Sequence, residues 1–367
     1  MRVYDFSLTR INNKEDEQMK KTISISLAIM LVLAMAACAA PPAPAPAPEP
    51  PAQPAPAEPA PAPEPAPEPE PVLEGNFDLI LATGGTGGTY YPLGGAMAQV
   101  FMNHLENVNV TAQSTGASAE NARLLNSKEA ELAILQNDVL DYAFNGTETM
   151  AEGGALKNIA TIATLYPEVI HVVVSVESGI NSIAEMKGKR ISVGAAGSGT
   201  EANARQILAA HGLTYDDIDE SFLSFAESAT GIQNKSLDGT FITGGVPNPS
   251  VLELSSMVDV KLLTFEADKI AALTSQYPFY ATFTVAEDAY ESVNGGDTVA
   301  VLATLACSAD LDENLVYFLT KTLFENQPEL ALGHKKGEEL DLAKAVKGVS
   351  VPFHAGAERY FKEAGVM

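Results

Sequence analysis

The sequence predicts an α/β fold in two lobes, and three observations carry that expectation. Strand-like apolar runs alternate with helix-like runs through residues 75–367, the pattern of a mostly parallel sheet. Two of these runs end in small hydroxyl- and glycine-rich loops that open helices: Phe77–Ala82 before residues 83–92, and residues 190–194 before residues 195–201. The second unit repeats the architecture of the first without its sequence, and the segment is long enough for one large two-lobed domain or two small ones.

Residues 1–38 have the form of an export leader. Met19-Lys20-Lys21 starts a basic stretch, and the largely apolar residues 23–36 are too few to span a bilayer comfortably. The small residues before Cys38 resemble a lipobox, with Met35 where leucine is commoner, so Cys38 is the expected site of lipidation. An ordinarily cleaved signal or a short anchor helix is the alternative. Residues 1–18 carry charges and no apolar run, which is explained if Met19 is the true start. Residues 39–74 form a Pro/Ala/Glu-rich linker, and proline fixes φ and lacks an N–H, so the tract is expected in polyproline II form. At about 3.1 Å per residue it would hold a domain up to roughly 100 Å from a membrane surface. A ligand for a proline-recognition domain is the competing reading.

Composition narrows the function classes. The 47 acidic and 22 basic residues give a formal net charge of −25 with no basic stripe, which disfavours nucleic-acid binding. Such a surface keeps an exported protein soluble and says little about ligand charge, because exposed charges are screened beyond about 8 Å. Of the two cysteines, Cys38 belongs to the leader and Cys307 is left as a buried, inert thiol.

After the first strand, residues 92–104 form a helix opened by Pro92, followed by a strand at Val108–Gln113, a loop at 114–118 and a helix from Ala119 to Ser127. A third strand at 132–135 ends in Gln136-Asn137-Asp138. A β-branched segment centred on 170–174 leads to the second unit, with further strands expected at 222–225 and 240–243. Leu315, Phe318, Leu319 and Leu323 share a helical face, so the stretch from 315 towards His334 is expected to pack back on the first lobe. Segments near 171–174 and 304–306 are expected to join the lobes.

The chemistry present is that of a clamp. No Gly-Lys-Ser/Thr follows the first loop, neither loop is G-x-G-x-x-G, and Ser198 is not in a G-x-S-x-G elbow. The five histidines are scattered, so no metal and no cofactor is expected, and the acidic pairs Asp216-Asp217 and Glu338-Glu339 read as solvated charges. Ser198 and Glu201 have capping-box spacing, which by itself does no more than start a helix; Gly199 would in addition let backbone N–H groups reach a ligand, and Thr200 offers a hydroxyl. Tyr90, Tyr91 and Tyr166 are candidate walls with polar tips, Gln136 and Asn137 supply amides, and Arg123 is expected at the surface or between elements.

Several runs carry a resemblance. Residues 86–95, 192–204 and 214–218 are similar to the TAXI family, the extracytoplasmic solute receptors of one class of TRAP transporters. Gln136-Asn137-Asp138, Leu165-Tyr166-Pro167-Glu168, Tyr277-Pro278-Phe279-Tyr280 and Leu323-Phe324-Glu325-Asn326 fit in the same order, and the similarity covers residues 76–367. The resemblance implies a type II periplasmic-binding-protein fold, with 75–170 and 300–367 as one lobe, 171–299 as the other, and the ligand in the cleft. It implies capture of a small organic anion or acidic amino acid, such as glutamate, glutamine or 2-oxoglutarate, for a membrane permease, by a receptor that is no enzyme; with the lipid anchor read from Cys38, a monomer is expected. The implied ligand-binding residues are Gly87, Thr89 and Tyr90; Thr115 and Ser118; Gln136 and Asn137; Ser198, Gly199 and Thr200; and Thr243, Gly244 and Gly245. Tyr166 joins them from the segment between the lobes. Ala117 departs from a frequent glycine, and the stretch from Thr243 to Val246 also varies; both bear on ligand identity. An ABC-type binding protein and an enzyme on the same scaffold are the rival functions.

Overall fold

The computed structural model describes residues 72–367; the leader, Cys38 and nearly all of the linker lie outside the described residues. In chain order the elements are β1 (Phe77–Ala82), α1 (Tyr90–His104), β2 (Val108–Gln113), α2 (Ser118–Ser127), β3 (Leu132–Gln136), α3 (Asn137–Asn145), β4 (Ala160–Ser175), β5 (Arg190–Ser192), α4 (Gly199–Ala210) and β6 (Asp219–Ser221). They continue with α5 (Phe225–Gln233), β7 (Gly239–Gly244), α6 (Pro249–Met257), β8 (Val260–Leu262), α7 (Ala267–Gln276), β9 (Ala281–Val285), β10 (Gly296–Cys307), α8 (Glu313–Glu325), α9 (Gln327–Gly333) and α10 (Ala355–Glu363).

The strands run in the order β2-β1-β3-β10-β4-β7-β5-β6, with β8 on β4 and β9 on β10. The ends are parallel: β1 lies between β2 and β3, and β5 between β6 and β7. The middle is antiparallel, because β10 runs against both β3 and β4, and β4 against β7. This is a mixed α/β architecture with helices packed on one sheet. β4 is flanked on both sides and buried at every position except Pro167, which is why it is largely apolar and β-branched.

Separate cores support the two ends of the sheet. Leu81, Phe101 and Leu132 pack with Leu315, Leu323 and Phe361, so α8 and α10 return to the first end as expected. Ile191, Ile207 and Phe241 form the core of the other end. Cys307 is fully buried in the first core, where burial pushes its thiol well above the ordinary range.

Three expectations need correction. The strand expected at 222–225 lies at Asp219–Ser221, and Phe225 opens α5. The reason is a reciprocal capping box: Ser224 Oγ accepts from Glu227 N at 3.3 Å, and Ser224 N donates to Glu227 Oε2 at 2.9 Å. The helix expected to run on to His334 breaks after Glu325, because Pro328 fits only the first turn of the following α9. The segments joining the two ends of the sheet also lie elsewhere. β4 pairs with β10 up to Val169 and with β7 from Val169 onward, while β10 leaves β9 at Ala300 and meets β3 at Ala303. The change of partners therefore falls at residues 167–169 and 300–303, not at 171–174 and 304–306. At that point Leu302 faces Pro167. Its N–H donates instead to Asn137 Oδ1 at 3.0 Å.

Candidate functional site

Four helix N-termini converge on one cavity of about 310 Å³. Its wall is made by residues 84–90 before and into α1, 114–118 before α2, 198–200 at the start of α4 and 224–226 at the start of α5, together with Gln136, Glu168, Ala195 and Thr243. The volume is at the small end of the range for ligand pockets. Among the described residues, no Lys, Arg or His lines it. Backbone N–H groups at the helix ends contribute partial positive charge there.

At α1 and α2 no side chain caps these groups, whereas Ser198 and Ser224 cap α4 and α5. Thr89 stands at the N-cap of α1 without capping it, because its Oγ1 accepts from Gly245 N at 3.1 Å. Ser250 Oγ donates to Gly87 O at 2.7 Å, so the first loop is tied to the segment after β7. The N-cap of α2 is Ala117, which has no side chain that could cap. Its φ of 74° lies in the region that favours glycine, so the departure from a frequent glycine noted in the sequence is a point of backbone strain on the cavity wall. Asn121 fastens the strand ends beneath, donating to Thr83 O at 2.6 Å and Ile134 O at 2.7 Å.

Most of the expected residues meet at this cavity: Gly87, Thr89, Tyr90, Thr115, Ser118, Gln136, Ser198, Gly199, Thr200 and Thr243 all line it. Several of their hydroxyls already have partners in the chain. Thr115 Oγ1 lies 2.6 Å from Asn121 Oδ1, Ser118 Oγ accepts from Gln136 N at 3.2 Å, and Thr243 Oγ1 donates to Asn203 Oδ1 at 3.0 Å. Ser198 Oγ accepts from Glu201 N at 3.1 Å, as the capping reading requires. The reciprocal half is missing, because the Glu201 carboxylate is held by Arg205 and by Tyr215 at 2.8 Å. Gln136 presents a buried Oε1 with no hydrogen-bond partner among the described residues. It packs directly on Gly199.

Four expected residues do not line the cavity. Asn137 turns away: its Oδ1 accepts from Leu302 N, and its Nδ2 donates to Gly348 O at 2.7 Å. Tyr166 is buried with the Lys336 ammonium 5.6 Å from its ring centroid. Gly244 and Gly245 stand behind the wall, where a Cβ on Gly245 would lie 2.5 Å from Lys336 Cε. Arg123 is exposed, with Nη2 3.8 Å from Met150 Sδ.

The sequence reading missed Glu168 and the 224–226 loop. Glu168 projects from β4 into the wall at 1% exposure and accepts a hydrogen bond from the Tyr90 hydroxyl. Burial pushes its carboxyl up to about 8 despite that bond, and pushes the Tyr90 hydroxyl higher as well. A lone acid within the apolar run 160–175 was the available signal. For the loop it was the S-x-x-E spacing of Ser224 and Glu227.

Beside the cavity, a second buried polar cluster links α3 to α4. Asp138 accepts from Asn203 Nδ2 at 3.0 Å, Asn203 also donates to Tyr280 at 2.9 Å, and Gln206 joins Tyr280 to Tyr142. Burial raises the Asp138 carboxyl to about 6.

A model of the family described as NMT1-like matches residues 81–365. The chain belongs to the NMT1-like family. Solved structures similar to this family member include the periplasmic aliphatic sulphonate binding protein SsuA from Escherichia coli, at 15% identity over 78% of this chain and 83% of that one, with a TM-score of 0.45. PhnD1 from Prochlorococcus marinus (MIT 9301), in complex with methylphosphonate, is similar at 12% identity over 78% and 99%, with a TM-score of 0.48. A binding protein component of an ABC phosphonate transporter from Pseudomonas aeruginosa is similar at 11% identity over 72% and 80%, with a TM-score of 0.45. Likeness at this level fixes neither ligand nor transporter class for the NMT1-like chain.

Proposed function

We propose that this chain is an extracytoplasmic solute receptor that captures a small organic anion or acidic amino acid and delivers it to a membrane permease. The observation that supports this most directly is the convergence of four helix N-termini, two from each end of the sheet, on one small cavity without a cationic side chain. The lining offers N–H groups, hydroxyls, an amide and the Glu168 carboxyl, equipment suited to holding a small polar ligand. The two ends of the sheet act as lobes, 75–170 with 300–367 and 171–299, which close over the ligand. Lipidation at Cys38 and the linker hold a monomeric receptor to the membrane.

Two permease classes are in play. An ABC importer is the class named for the phosphonate-transporter component above, and it would suit a sulfonate or phosphonate ligand. A TRAP permease is the class implied by the ordered TAXI-like runs, with glutamate, glutamine or 2-oxoglutarate as ligand. Uptake of radiolabelled ligand into membrane vesicles carrying the cognate permease separates them: ATP drives the first, an ion gradient the second.

The ligand is found by a thermal-shift screen of organic acids, amino acids, alkanesulfonates and phosphonates, since a ligand that binds only the folded state raises its apparent stability. Small-angle scattering with the strongest hit then tests closure. A ligand that touches both lobes lowers the radius of gyration; one that touches a single lobe has no differential affinity for the closed state. An unchanged radius at saturation overturns the two-lobe clamp.

A further inference from the structure

Among the described residues, Glu168 is the one carboxyl in the cavity wall. Its hydrogen-bond partner is the Tyr90 hydroxyl of α1. The other charged and titratable groups around it come from three elements. Its own strand carries Tyr166 and His171, and the His171 ring is engaged by Ile242 O and the Tyr290 hydroxyl. Asp138 adds a like charge from α3, and Lys336 adds the opposite charge from the short helical turn at Lys335–Glu339, where its ammonium is paired with Glu339. Among the described residues, an ionised Glu168 thus has no counter-ion of its own in a site whose helix ends attract anions.

Resting on the receptor reading, we propose that Glu168 sets the charge selectivity of the cavity: an anion is captured together with one proton held on Glu168, whose neutral acid group can donate to a ligand oxygen. An ionised Glu168 would instead recruit an ammonium group. The two cases differ in sign. Proton-coupled capture weakens as pH rises through the titration of the empty receptor, whereas an ammonium partner needs the ionised carboxylate and is lost as pH falls.

The raised titration of Glu168 places the informative window between pH 7 and 9. Calorimetry on the intact protein with 2-oxoglutarate, methanesulfonate and glutamate, in buffers of different ionisation enthalpy, reads proton uptake directly. The expected result is uptake approaching one proton per bound anion at pH 9 and affinity about tenfold weaker at pH 9 than at pH 7. Glu168→Gln abolishes the uptake and flattens the profile, whatever its affinity at pH 7. Binding without proton uptake at pH 9, or proton release with glutamate, overturns the proposal while leaving the receptor intact. Failure of all three probes at every pH counts against the receptor reading for these ligand classes, and the proposal falls with it. Proton uptake by the parent protein needs no variant, so the test survives a poorly folding Gln form.

Discussion

Gly199 and Gln136 touch so closely that a Cβ on Gly199 would lie 2.2 Å from Gln136 Oε1. One opens α4, the other ends β3, and both face the cavity. Gly199→Ala must therefore drive the Gln136 amide out of its place, and because that amide is the end of a flexible side chain the fold itself should survive. We expect at least a tenfold loss of ligand affinity with a Tm change of a few degrees at most. Adding Gln136→Ala should make the Gly199→Ala change nearly neutral, which a double-mutant cycle by calorimetry measures.

Thr200 lines the cavity at the start of α4, while Arg123 stands outside it. If the ligand is a carboxylate or other anion, Thr200→Ala removes a charge-assisted bond of about 1.5–3 kcal/mol, or roughly 10- to 150-fold in affinity. Arg123→Gln should change affinity less than threefold. A larger loss in the Arg variant would reverse the assignment.

Ala117 holds a φ of 74° at the mouth of α2. Ala117→Gly relieves that strain and should stabilise the protein by about 1 kcal/mol, read by urea unfolding. Loss of stability on this substitution would show that the backbone is better accommodated than its φ indicates.

Asp138 titrates higher in the folded protein, near 6, than its ordinary value of 3.8. The native state then binds the extra proton between those values, so its contribution to stability falls as pH rises from about 4 to 6 and stays low above. Asp138→Asn should gain on the parent over that interval by up to about 3 kcal/mol and show no further gain beyond it. A difference profile that is flat from pH 4 to 7 would contradict the burial argument.

Cys38→Ser should release the protein from membranes or block its maturation, because the expected processing leaves a lipid on that cysteine. Membrane fractionation with immunoblotting decides the matter. A Ser variant that fractionates with membranes at the processed size would remove the anchor.

The strands and cavity loops of the first three units were legible in the sequence because each apolar run ends abruptly in hydroxyl and glycine residues. What stayed hidden depends on the third dimension. Gln136 and Asn137 are neighbours at one strand end, yet only Gln136 enters the cavity, because Gln136 ends β3 whereas Asn137 opens α3 and is held by Leu302 N and Gly348 O. Locally Glu168 shows only as a lone acid in an apolar run; its meaning comes from burial between strands distant in the chain, with β10 on one side and β7 on the other. At 222–225 the aromatic residues suggested a strand, while the capping residues Ser224 and Glu227 start a helix. Backbone capping won because it satisfies N–H groups that a short exposed strand would leave open.

A cavity walled by peptide dipoles, inside a chain of net charge −25, sets two fields against each other. The helix ends attract an anion only at contact range, whereas the acidic exterior repels it from farther out. Added salt screens the distant repulsion and leaves the enclosed contacts nearly untouched. Capture of an anion by this protein should therefore speed up as ionic strength rises, with the dissociation rate unchanged, the reverse of what an arginine-lined funnel would do.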